Sequence, residues 1–216
     1  MQKNGRASLK EQIYSQVLND IIEGVYKQSE ILNEKQLIEK YGVSKSPVRD
    51  ALIELCKEGV LYSHPRYGYE IVTINEKDIE DIISFRLMLE PQCLRLSATL
   101  MTKEDIEELK TFTNTNCRVD GEISIWRHWQ NNMSFHLKLN SYCRNQYCCE
   151  VLEKSMNVLT RAYAQKHWER WKKTYFHLDC EGHLKIVDLL ASGNVDAAEE
   201  ELKADILDFR ELFSAY

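Results

Sequence analysis

A run of basic and small polar residues opens a predicted helix early in the chain, inside the stretch VSKSPVRDALIELCKEGVLY at positions 43–62. Lys45 and Arg49 supply the positive charge of this helix start. Ser46 is the predicted N-cap, and Pro47 suits the first helical position because no intrahelical hydrogen bond is needed there. A cationic helix start of this kind is suited to binding an anionic surface such as the phosphate backbone of a nucleic acid.

The cationic helix start belongs to a predicted unit of three helices and two strands. They are indicated by apolar residues at helical spacing, by glycine stops and by short runs rich in strand-forming residues. The predicted elements are helices at 8–23 and 33–40, a third helix from Pro47 to Gly59, and strands at 60–63 and 69–73 around a turn at 64–68. This order of elements is typical of a winged helix-turn-helix, which we predict for residues 1–74.

The rest of the chain shows helical periodicity and no further strand pattern. Helices are predicted to start at the N-cap candidates Asn75 and Thr102 and to cover 123–142, 146–165, 171–191 and 195–213, with Pro91 as a predicted kink. We therefore expect a mainly α protein. The winged helix-turn-helix at 1–74 is followed, after a short linker, by an all-α bundle of six or more helices at 75–216.

The charge of the chain is unevenly distributed between these two segments. The net charge of the chain is −6. Residues 1–74 contain 10 basic and 10 acidic side chains, so residues 75–216 carry the whole of this negative charge. A locally basic surface on a neutral domain binds phosphates because the local potential decides the interaction. No apolar run approaches the roughly 18 residues of a membrane span, and the N-terminus lacks a signal-peptide core. We expect a cytoplasmic protein without a membrane partner.

The cysteines do not predict a disulfide framework or a zinc knuckle. There are seven, an odd number, and none forms a CxxC pair. They are Cys56, Cys93, Cys117, Cys143, Cys148, Cys149 and Cys180. We expect most of them to be small core residues that stay reduced.

The stretch LNEKQLIEKYGVSKSPVRDALIELCKEGVLYSHPRYGYEIV at positions 32–72 resembles the DNA-binding domain of the GntR family of bacterial transcription regulators. The matching positions are Leu32, Glu34, Leu37, Gly42, Val43, Ser44, Pro47, Val48, Arg49, Ala51, Leu52, Leu55, Glu58, Gly59 and Gly68. Lys45 stands where the family usually has arginine, which keeps the charge but loses the planar fork of a guanidinium.

The resemblance implies that the third helix enters the major groove of DNA with its N-terminus first. Its start, from Ser44 through Lys45 and Ser46 to Arg49, would then face the bases and the adjoining backbone. Basic residues outside that helix start are expected to contact phosphates, and a wing glycine is expected near the backbone. These remaining candidates are Lys35, Arg66 and Gly68.

The C-terminal segment is similar to the helical effector domain called FCD, which is found in the FadR-like subgroup of that family. The stretch FRLMLEPQCLRLSA at 85–98 resembles its first long helix, and EGHLKIVDLLASGNVDAAEEELKADI at 181–206 resembles its closing helix pair. Such domains often hold a divalent metal with an Asp-x-x-x-His pair and two later histidines. The corresponding residues are Asn132, His136, His183 and Asp205.

Two of these four positions depart from the family pattern, since Asn132 has lost a carboxylate and Asp205 has gained one. Two imidazoles, a carboxylate and an amide oxygen still suit Zn²⁺, Ni²⁺ or a similar ion. The alternative is a hydrogen-bonded polar cluster in a ligand pocket without metal. His128, four residues before Asn132, is either a further pocket residue or a partly exposed one.

Arg86 has two interpretations as well. It would bind a carboxylate of a small-molecule effector through a bidentate contact, or it would form a salt bridge with Glu90 one turn further along its helix.

Together these features indicate a ligand-responsive transcription regulator, and not an enzyme. We expect a homodimer that binds a palindromic operator in double-stranded DNA and senses a small organic acid with its helical domain. The alternative is a metal-dependent enzyme with an accessory nucleic-acid-binding head, because two histidines and one carboxylate are also compatible with catalysis. No nucleophile or general-base motif accompanies those residues, which favours the regulator.

Overall fold

A computed structural model of the protein describes the backbone at residues 7–117, 123–171, 175–176 and 181–214, and the side chains at 7–116, 126–166 and 181–207. The described residues divide into two compact units. The first comprises Met1–Ile74 with Arg161–Trp168, and the second comprises Asn75–Thr160 with Glu169–Tyr216.

The described part of the chain contains nine helices and five short strands. In chain order they are α1 (Leu9–Ile22), β1 (Ile31–Leu32), α2 (Glu34–Tyr41), α3 (Lys45–Lys57), β2 (Leu61–His64), β3 (Gly68–Ile71), α4 (Glu76–Leu100), α5 (Lys103–Cys117), β4 (Ile123–Ser124), α6 (Ile125–Ser141), α7 (Gln146–Trp171), β5 (Tyr175–Phe176), α8 (Glu181–Ala191) and α9 (Val195–Ser214). The prediction of a mainly α protein with an N-terminal winged helix-turn-helix is confirmed. None of the described helices is long and apolar enough to cross a membrane.

Side-chain caps define the first helices of the first unit. Ser8 and Glu11 form a reciprocal capping box at the start of α1, and the Asn33 side chain accepts a hydrogen bond from the Lys35 backbone at the start of α2. The predicted N-cap of α3 is wrong, because the helix begins at Lys45 and its cap position is Ser44. Proline at the third helical position is tolerated, since the N–H groups of the first turn have no intrahelical acceptor.

The wing is a three-stranded antiparallel sheet in the order β1-β3-β2, whereas the sequence predicted only the hairpin of β2 and β3. In β1, Ile31 pairs with Glu70 and Leu32 with Tyr69. A two-residue strand is too short to show an alternating pattern, which explains why it was missed. The buried core of the unit gathers apolar side chains of α1, α2, α3 and the sheet.

The second unit departs from the expected all-α bundle in one respect. Strands β4 and β5 pair antiparallel, with Ile123 opposite Phe176 and Ser124 opposite Tyr175. The predicted helix at 171–191 is therefore wrong over its first part: α7 continues to Trp171, β5 follows, and α8 begins at Glu181. Residues 172–174 and 177–180 of that prediction lie outside the described part of the chain.

Helix α4 runs from Glu76 to Leu100 and continues through Pro91. Asn75 and Asp78 form a capping box at its start, as the sequence indicated for Asn75. The core of the second unit collects buried apolar residues from α4, α5, α6, α8 and α9. Helices α4, α6 and α8 of this core also carry buried polar residues, among them Glu90, His136 and His183.

Candidate functional site

The first candidate site is the exposed start of α3. The side chains of Lys45 and Arg49 are 62% and 52% exposed, and both pair with the carboxylate of Glu34 at the start of α2. The Arg49 Nε atom lies 3.1 Å from Glu34 Oε1, and Lys45 Nζ lies 3.6 Å from Oε2. The Tyr69 hydroxyl of β3 also donates to Glu34 Oε1, at 3.2 Å. Glu34 thus orients both cations and links α2, α3 and the wing.

The electrostatics of Glu34 agree with this role. Partial burial acts to raise its pKa, but hydrogen bonds from Arg49 and Tyr69 and the charges of Arg49 and Lys45 outweigh burial and lower it. The carboxylate therefore stays ionised near neutral pH. In the sequence Glu34 is only a matching motif position, and its fixed spacing ahead of the cationic helix start is the signal that could have identified its role.

A cleft of ≈ 310 Å³ adjoins the start of α3. Arg49 lines it on the helix side and Arg66 on the wing side. Arg66 has φ +67°, a left-handed conformation that directs the tight turn between β2 and β3. The cleft thus brings together three of the predicted DNA-binding residues, Arg49 from α3 and Arg66 and Gly68 from the wing.

The predicted DNA-binding residues Lys35, Ser44 and Ser46 are not among the residues that line the cleft. Lys35, Ser44 and Ser46 are exposed, and the Ser46 hydroxyl donates to Asp50 Oδ2 at 3.3 Å. Gly68 has φ +142°, and a Cβ atom there would lie 2.7 Å from the Leu32 carbonyl oxygen. Only glycine permits this approach of β3 to β1. Gly68 is therefore required by the sheet itself, whatever it contacts in DNA.

The second candidate site is a buried cluster in the helical unit. One ligand atom from each of His136, His183 and Asp205 lies within 4.8 Å of the others. Asp205 on α9 bridges the two rings: its Oδ2 is 2.8 Å from His136 Nε2, and its Oδ1 is 3.2 Å from His183 Nε2. The Phe135 ring stacks on His183 with centroids 4.0 Å apart and fixes the plane of the imidazole. The tertiary structure thus brings residues of α6, α8 and α9 together.

Helix α4 supplies a second carboxylate to this cluster. Glu90 Oε2 lies 2.6 Å from His136 Nδ1, and Glu90 Oε1 accepts a hydrogen bond from Arg86 Nε at 2.6 Å. The predicted intrahelical salt bridge of Arg86 is therefore present, and both side chains are almost completely buried. The Nη2 atom of Arg86 has no hydrogen-bond partner among the described residues. A buried donor without an acceptor is costly, so Arg86 retains a capacity to bind an anion.

The charges of this cluster stabilise one another. Burial would raise the pKa of Glu90, but the charges of Arg86 and His136 and their hydrogen bonds lower it to about 2. Burial would likewise raise the pKa of Asp205, but His183 and His136 hold it well below its usual range. Burial would lower the pKa of His136, but Glu90 and Asp205 raise it. Two ionised carboxylates on opposite ring nitrogens therefore favour a protonated His136 when no metal is bound.

Asn132 and His128 complete the α6 side of the cluster. The Asn132 amide nitrogen is 3.3 Å from both His183 Nε2 and Asp205 Oδ2, while its buried Oδ1 has no hydrogen-bond partner among the described residues. A half-turn of the amide would direct that oxygen into the cluster. Burial, and next the charge of His183, lower the pKa of His128 to about 4, so this ring is neutral near pH 7.

These residues fit a divalent metal. Two imidazole nitrogens and a carboxylate converge, and an amide oxygen is available beside them. Glu90 on the far nitrogen of His136 is the type of partner that fixes the orientation of a ligating histidine. From the sequence Glu90 is recognisable only as a partner of Arg86, because nothing in its spacing connects it with a histidine 46 residues away.

Two family models match this chain, one in its N-terminal part and one in its C-terminal part. The model described as "FCD domain" matches residues 81–208, and the model described as "Bacterial regulatory proteins, gntR family" matches residues 9–71.

The chain belongs to the GntR family and carries an FCD domain.

Relatives of this GntR-family chain are regulators too. It is 30% identical over 143 residues to the HTH-type transcriptional regulator YdhC of Bacillus subtilis, covering 66% of this chain and 64% of that one. It is 28% identical over 182 residues to the Nta operon transcriptional regulator of Aminobacter aminovorans, covering 84% and 81% respectively. The HTH-type regulator LutR of Bacillus subtilis is 25% identical over 199 residues, covering 83% and 89%.

Solved structures of GntR-family regulators share the fold. A putative regulator from Rhodococcus sp. RHA1 superimposes with a TM-score of 0.70 at 19% identity, covering 97% of this chain and 100% of that one. McbR/YncC of E. coli gives a TM-score of 0.68 at 16% identity, covering 97% and 99%. The protein is a GntR-family transcription regulator, and the family gives no support to the alternative of a metal-dependent enzyme.

Proposed function

We propose that this GntR-family regulator binds operator DNA with the start of α3 and the wing, and that its helical unit senses a small organic acid. The DNA-binding part depends on one observation. Lys45 and Arg49 project into solvent at the start of α3, beside a cleft that also contains Arg66. Exposed cations at a helix N-terminus meet DNA without a desolvation penalty for buried charge, and they steer its approach.

The residues divide into base-reading and backbone-contacting groups. Arg49 and Lys45 would contact base edges in the major groove, where a guanidinium pairs well with guanine. Ser44, Ser46 and Lys35 would donate to phosphate oxygens, and Arg66 would reach the backbone from the wing. Glu34 would position Arg49 rather than touch DNA, since its carboxylate would repel phosphates.

A homodimer is proposed because one α3 helix reads few base pairs. Two copies related by a two-fold axis would place two such helices one helical turn of DNA apart, and their operator would be palindromic. The proposed site of action is the cytoplasm, where the chromosome of a bacterium lies.

The proposed effector site is the cluster in the helical unit. His136, His183 and Asp205 would hold a divalent metal such as Zn²⁺ or Ni²⁺, with Asn132 Oδ1 as a weaker fourth ligand. Glu90 would keep the His136 ring oriented through Nδ1. The metal would supply a positive centre for one oxygen of an effector carboxylate. The unpartnered Nη2 of Arg86 gives this buried region a second donor for an anion.

An effector held there would change DNA binding only if it prefers one arrangement of the protein over another. By linkage, operator DNA would then alter effector affinity by the same factor. We propose this reciprocal coupling as the regulatory output of the FCD domain.

One set of measurements tests the DNA-binding proposal. Duplexes selected from a random library by the full-length protein should contain an inverted repeat. The protein should sediment as a dimer near twice its chain mass of 25.4 kDa, and it should bind a half-site duplex much more weakly than the full site. A monomer that binds half and full sites equally would contradict the proposal.

Elemental analysis and native mass spectrometry test the effector site separately. Purified protein incubated with Zn²⁺ or Ni²⁺ should hold one ion per chain, and His183→Ala should lose it while basal operator binding persists. Lys185→Ala is a matched control on the same helix, since this exposed side chain pairs with Glu201 and is not a member of the cluster. Wild-type protein that binds neither ion would reduce the site to a polar pocket.

A further inference from the structure

A short piece of α7 belongs to the first unit and not to the second. Residues Arg161–Trp168 group with Met1–Ile74, whereas α7 begins at Gln146 within the second unit. Arg161 is 6% exposed and Gln165 is partly buried, so both side chains face protein more than water. They are four residues apart and therefore lie on one face of the helix. Each donates a hydrogen bond to a backbone carbonyl of the first unit.

Arg161 holds the point where the chain leaves α3. Its Nη2 atom donates to the Gly59 carbonyl oxygen at 3.4 Å. Gly59 has φ +66° and closes α3 as a glycine stop: its amide donates to the Cys56 oxygen at 3.1 Å, and the next amide donates to the Leu55 oxygen at 2.9 Å. A cation at this end of a helix also interacts favourably with the helix dipole. Arg161 therefore fixes the end of the helix whose start is the proposed DNA-binding surface.

The buried charge of Arg161 has partners in the same unit. Burial lowers the pKa of Arg161, and the charge interactions with Tyr14 and Glu58 raise it. The Tyr14 hydroxyl of α1 donates to the Glu58 carboxylate at the end of α3. Since a guanidinium stays protonated in proteins, Arg161 is a permanent cation beside this pair.

Gln165 holds the point where the chain leaves β3. Its Nε2 atom donates to the Val72 carbonyl oxygen at 3.1 Å, and its Oε1 atom accepts from Gln28 Nε2 at 3.1 Å. A carbonyl only accepts hydrogen bonds, so the contact with Val72 determines which way the Gln165 amide is turned. The Val72 amide in turn donates to the Val60 carbonyl oxygen at 3.1 Å and joins the two ends of the β2–β3 hairpin. Val60 and Val72 thus form the base of the wing.

We propose that Arg161 and Gln165 are positioning residues for DNA binding, which fix the base of the wing and thereby set where Arg66 meets the DNA backbone. This inference rests on the proposed function, which assigns that backbone contact to Arg66. The four residues of β2 separate the base of the wing from its tip. At ~3.3 Å per residue this distance is roughly 13 Å. A tilt of about 10° at the base would move the tip by roughly 2 Å, which is enough to break a hydrogen bond to a phosphate.

The contacts of Gln165 lie outside the buried apolar core of the unit, which α1, α2, α3 and the sheet supply. Removing these contacts should therefore leave the unit folded and loosen only the base of the wing. A contact that merely stabilised the whole unit would instead loosen all of its elements together.

Hydrogen exchange of the free full-length protein tests whether α7 braces the wing. Gln165→Met removes the hydrogen bonds to Val72 and Gln28 and keeps the length of the side chain. Amide exchange in residues 69–74 should become roughly fivefold faster, the equivalent of one lost hydrogen bond, while exchange in α2 stays unchanged. Arg161→Met should accelerate exchange in residues 58–62. Arg161→Lys should restore part of the protection, because an ammonium group still donates.

Lys154→Met is the matched control, since Lys154 is an exposed residue of α7 in the second unit. It should leave exchange in both segments unchanged. The same exchange rate at residues 69–74 in wild type and in Gln165→Met would overturn the proposal, and so would an acceleration that extends equally to α2. If Arg161→Met does not fold, Gln165→Met alone decides.

A double-mutant cycle, measured on the duplex with the selected inverted repeat, separates positioning from stability. Arg66→Ala should reduce operator affinity by a smaller factor in the Gln165→Met background than in wild type, since the wing is already displaced there. Arg49→Ala should reduce it by the same factor in both backgrounds, because the start of α3 is not part of the wing. Equal factors for Arg66→Ala in both backgrounds would overturn the positioning role. An unchanged affinity of Arg66→Ala in wild type would instead refute the proposed contact of Arg66, and the bracing of the wing would still stand or fall on hydrogen exchange.

Discussion

Glu34 in the first unit and Glu90 in the second form the same type of ion pair, but Glu34 does so at the surface and Glu90 in the core. Each carboxylate holds an arginine and one further basic side chain. Glu34 pairs with Arg49 and Lys45 at the protein surface, where water and salt screen the charges. Glu90 pairs with Arg86 and His136 in the core, where Arg86 is 2% exposed and screening is weak.

The difference indicates what each cluster is suited to do. Exposed pairs contribute little to stability, so Lys45 can leave Glu34 at small cost, and Arg49 can contact a base with the part of its guanidinium that Glu34 does not hold. Buried pairs are costly to break, so Glu90 keeps Arg86 and His136 in one geometry. A surface that must release and rebind DNA therefore uses the first arrangement, and a pocket that must hold ligands in place uses the second.

The largest effect is expected from removing the buried carboxylate charge. Glu90→Gln should lower the free energy of unfolding by about 3–5 kcal/mol, because buried Arg86 loses its charged partner and His136 loses one of its two carboxylates. The matched surface change, Glu34→Gln, should cost less than about 1 kcal/mol. Urea denaturation of both variants measures the two values. Equal losses would show that burial does not distinguish the two carboxylates.

The second prediction concerns pH and the raised pKa of His136. Without metal, protonated His136 stabilises the fold fully below the unfolded value of about 6.5, and this contribution is lost as pH rises through the raised folded pKa. A metal must displace that proton, so metal affinity should rise with pH until it passes the same raised pKa. Zn²⁺ titrations and thermal melts across pH 6–9 should therefore change in opposite directions.

Glu90→Gln is the control for this pH dependence. Removing the charge on Nδ1 should lower the pKa of His136 and move both transitions to lower pH. If the pH midpoints of metal affinity and of thermal stability do not change in Glu90→Gln, a group other than His136 controls them.

A smaller, sequence-specific loss is expected at the surface. Arg49→Ala should weaken operator binding by about tenfold or more and relax the preference for one base position. On duplexes in which the base contacted by Arg49 has been replaced, Arg49→Ala should reduce the affinity by a smaller factor. Mobility-shift titrations on matched duplexes measure it, and unchanged operator affinity would remove Arg49 from the base-reading group.

The smallest effect is expected for Lys35→Ala. A phosphate contact carries no sequence information, so binding should weaken alike on all duplexes, and the slope of log affinity against log salt should fall by about 1. Lys103→Ala, an exposed lysine at the start of α5, is the control and should leave the slope unchanged. A sequence-dependent loss at Lys35 would instead make it a base-reading residue.

Much of the first unit was predictable because its signals are local. The apolar periodicity, the glycine stops and the motif spacing depend on residues within a few positions of one another, which explains why the predicted bounds of α1 and α2 are accurate to one residue. The N-cap of α3 was misplaced by two residues, from Ser44 to Ser46, because both serines precede a proline that fits anywhere in the first turn. Strand β1 was missed because two residues carry no periodicity.

The amino-acid sequence by itself determined the family, the mainly α architecture and the types of residue available at each site. Only the tertiary structure decided that Glu90 holds His136 and that Asp205 bridges two histidines. The physical reason is distance along the chain. Helical periodicity identifies which face of each helix is buried, but which buried polar side chains meet depends on how α4, α6, α8 and α9 pack, and that packing is set jointly by the whole core.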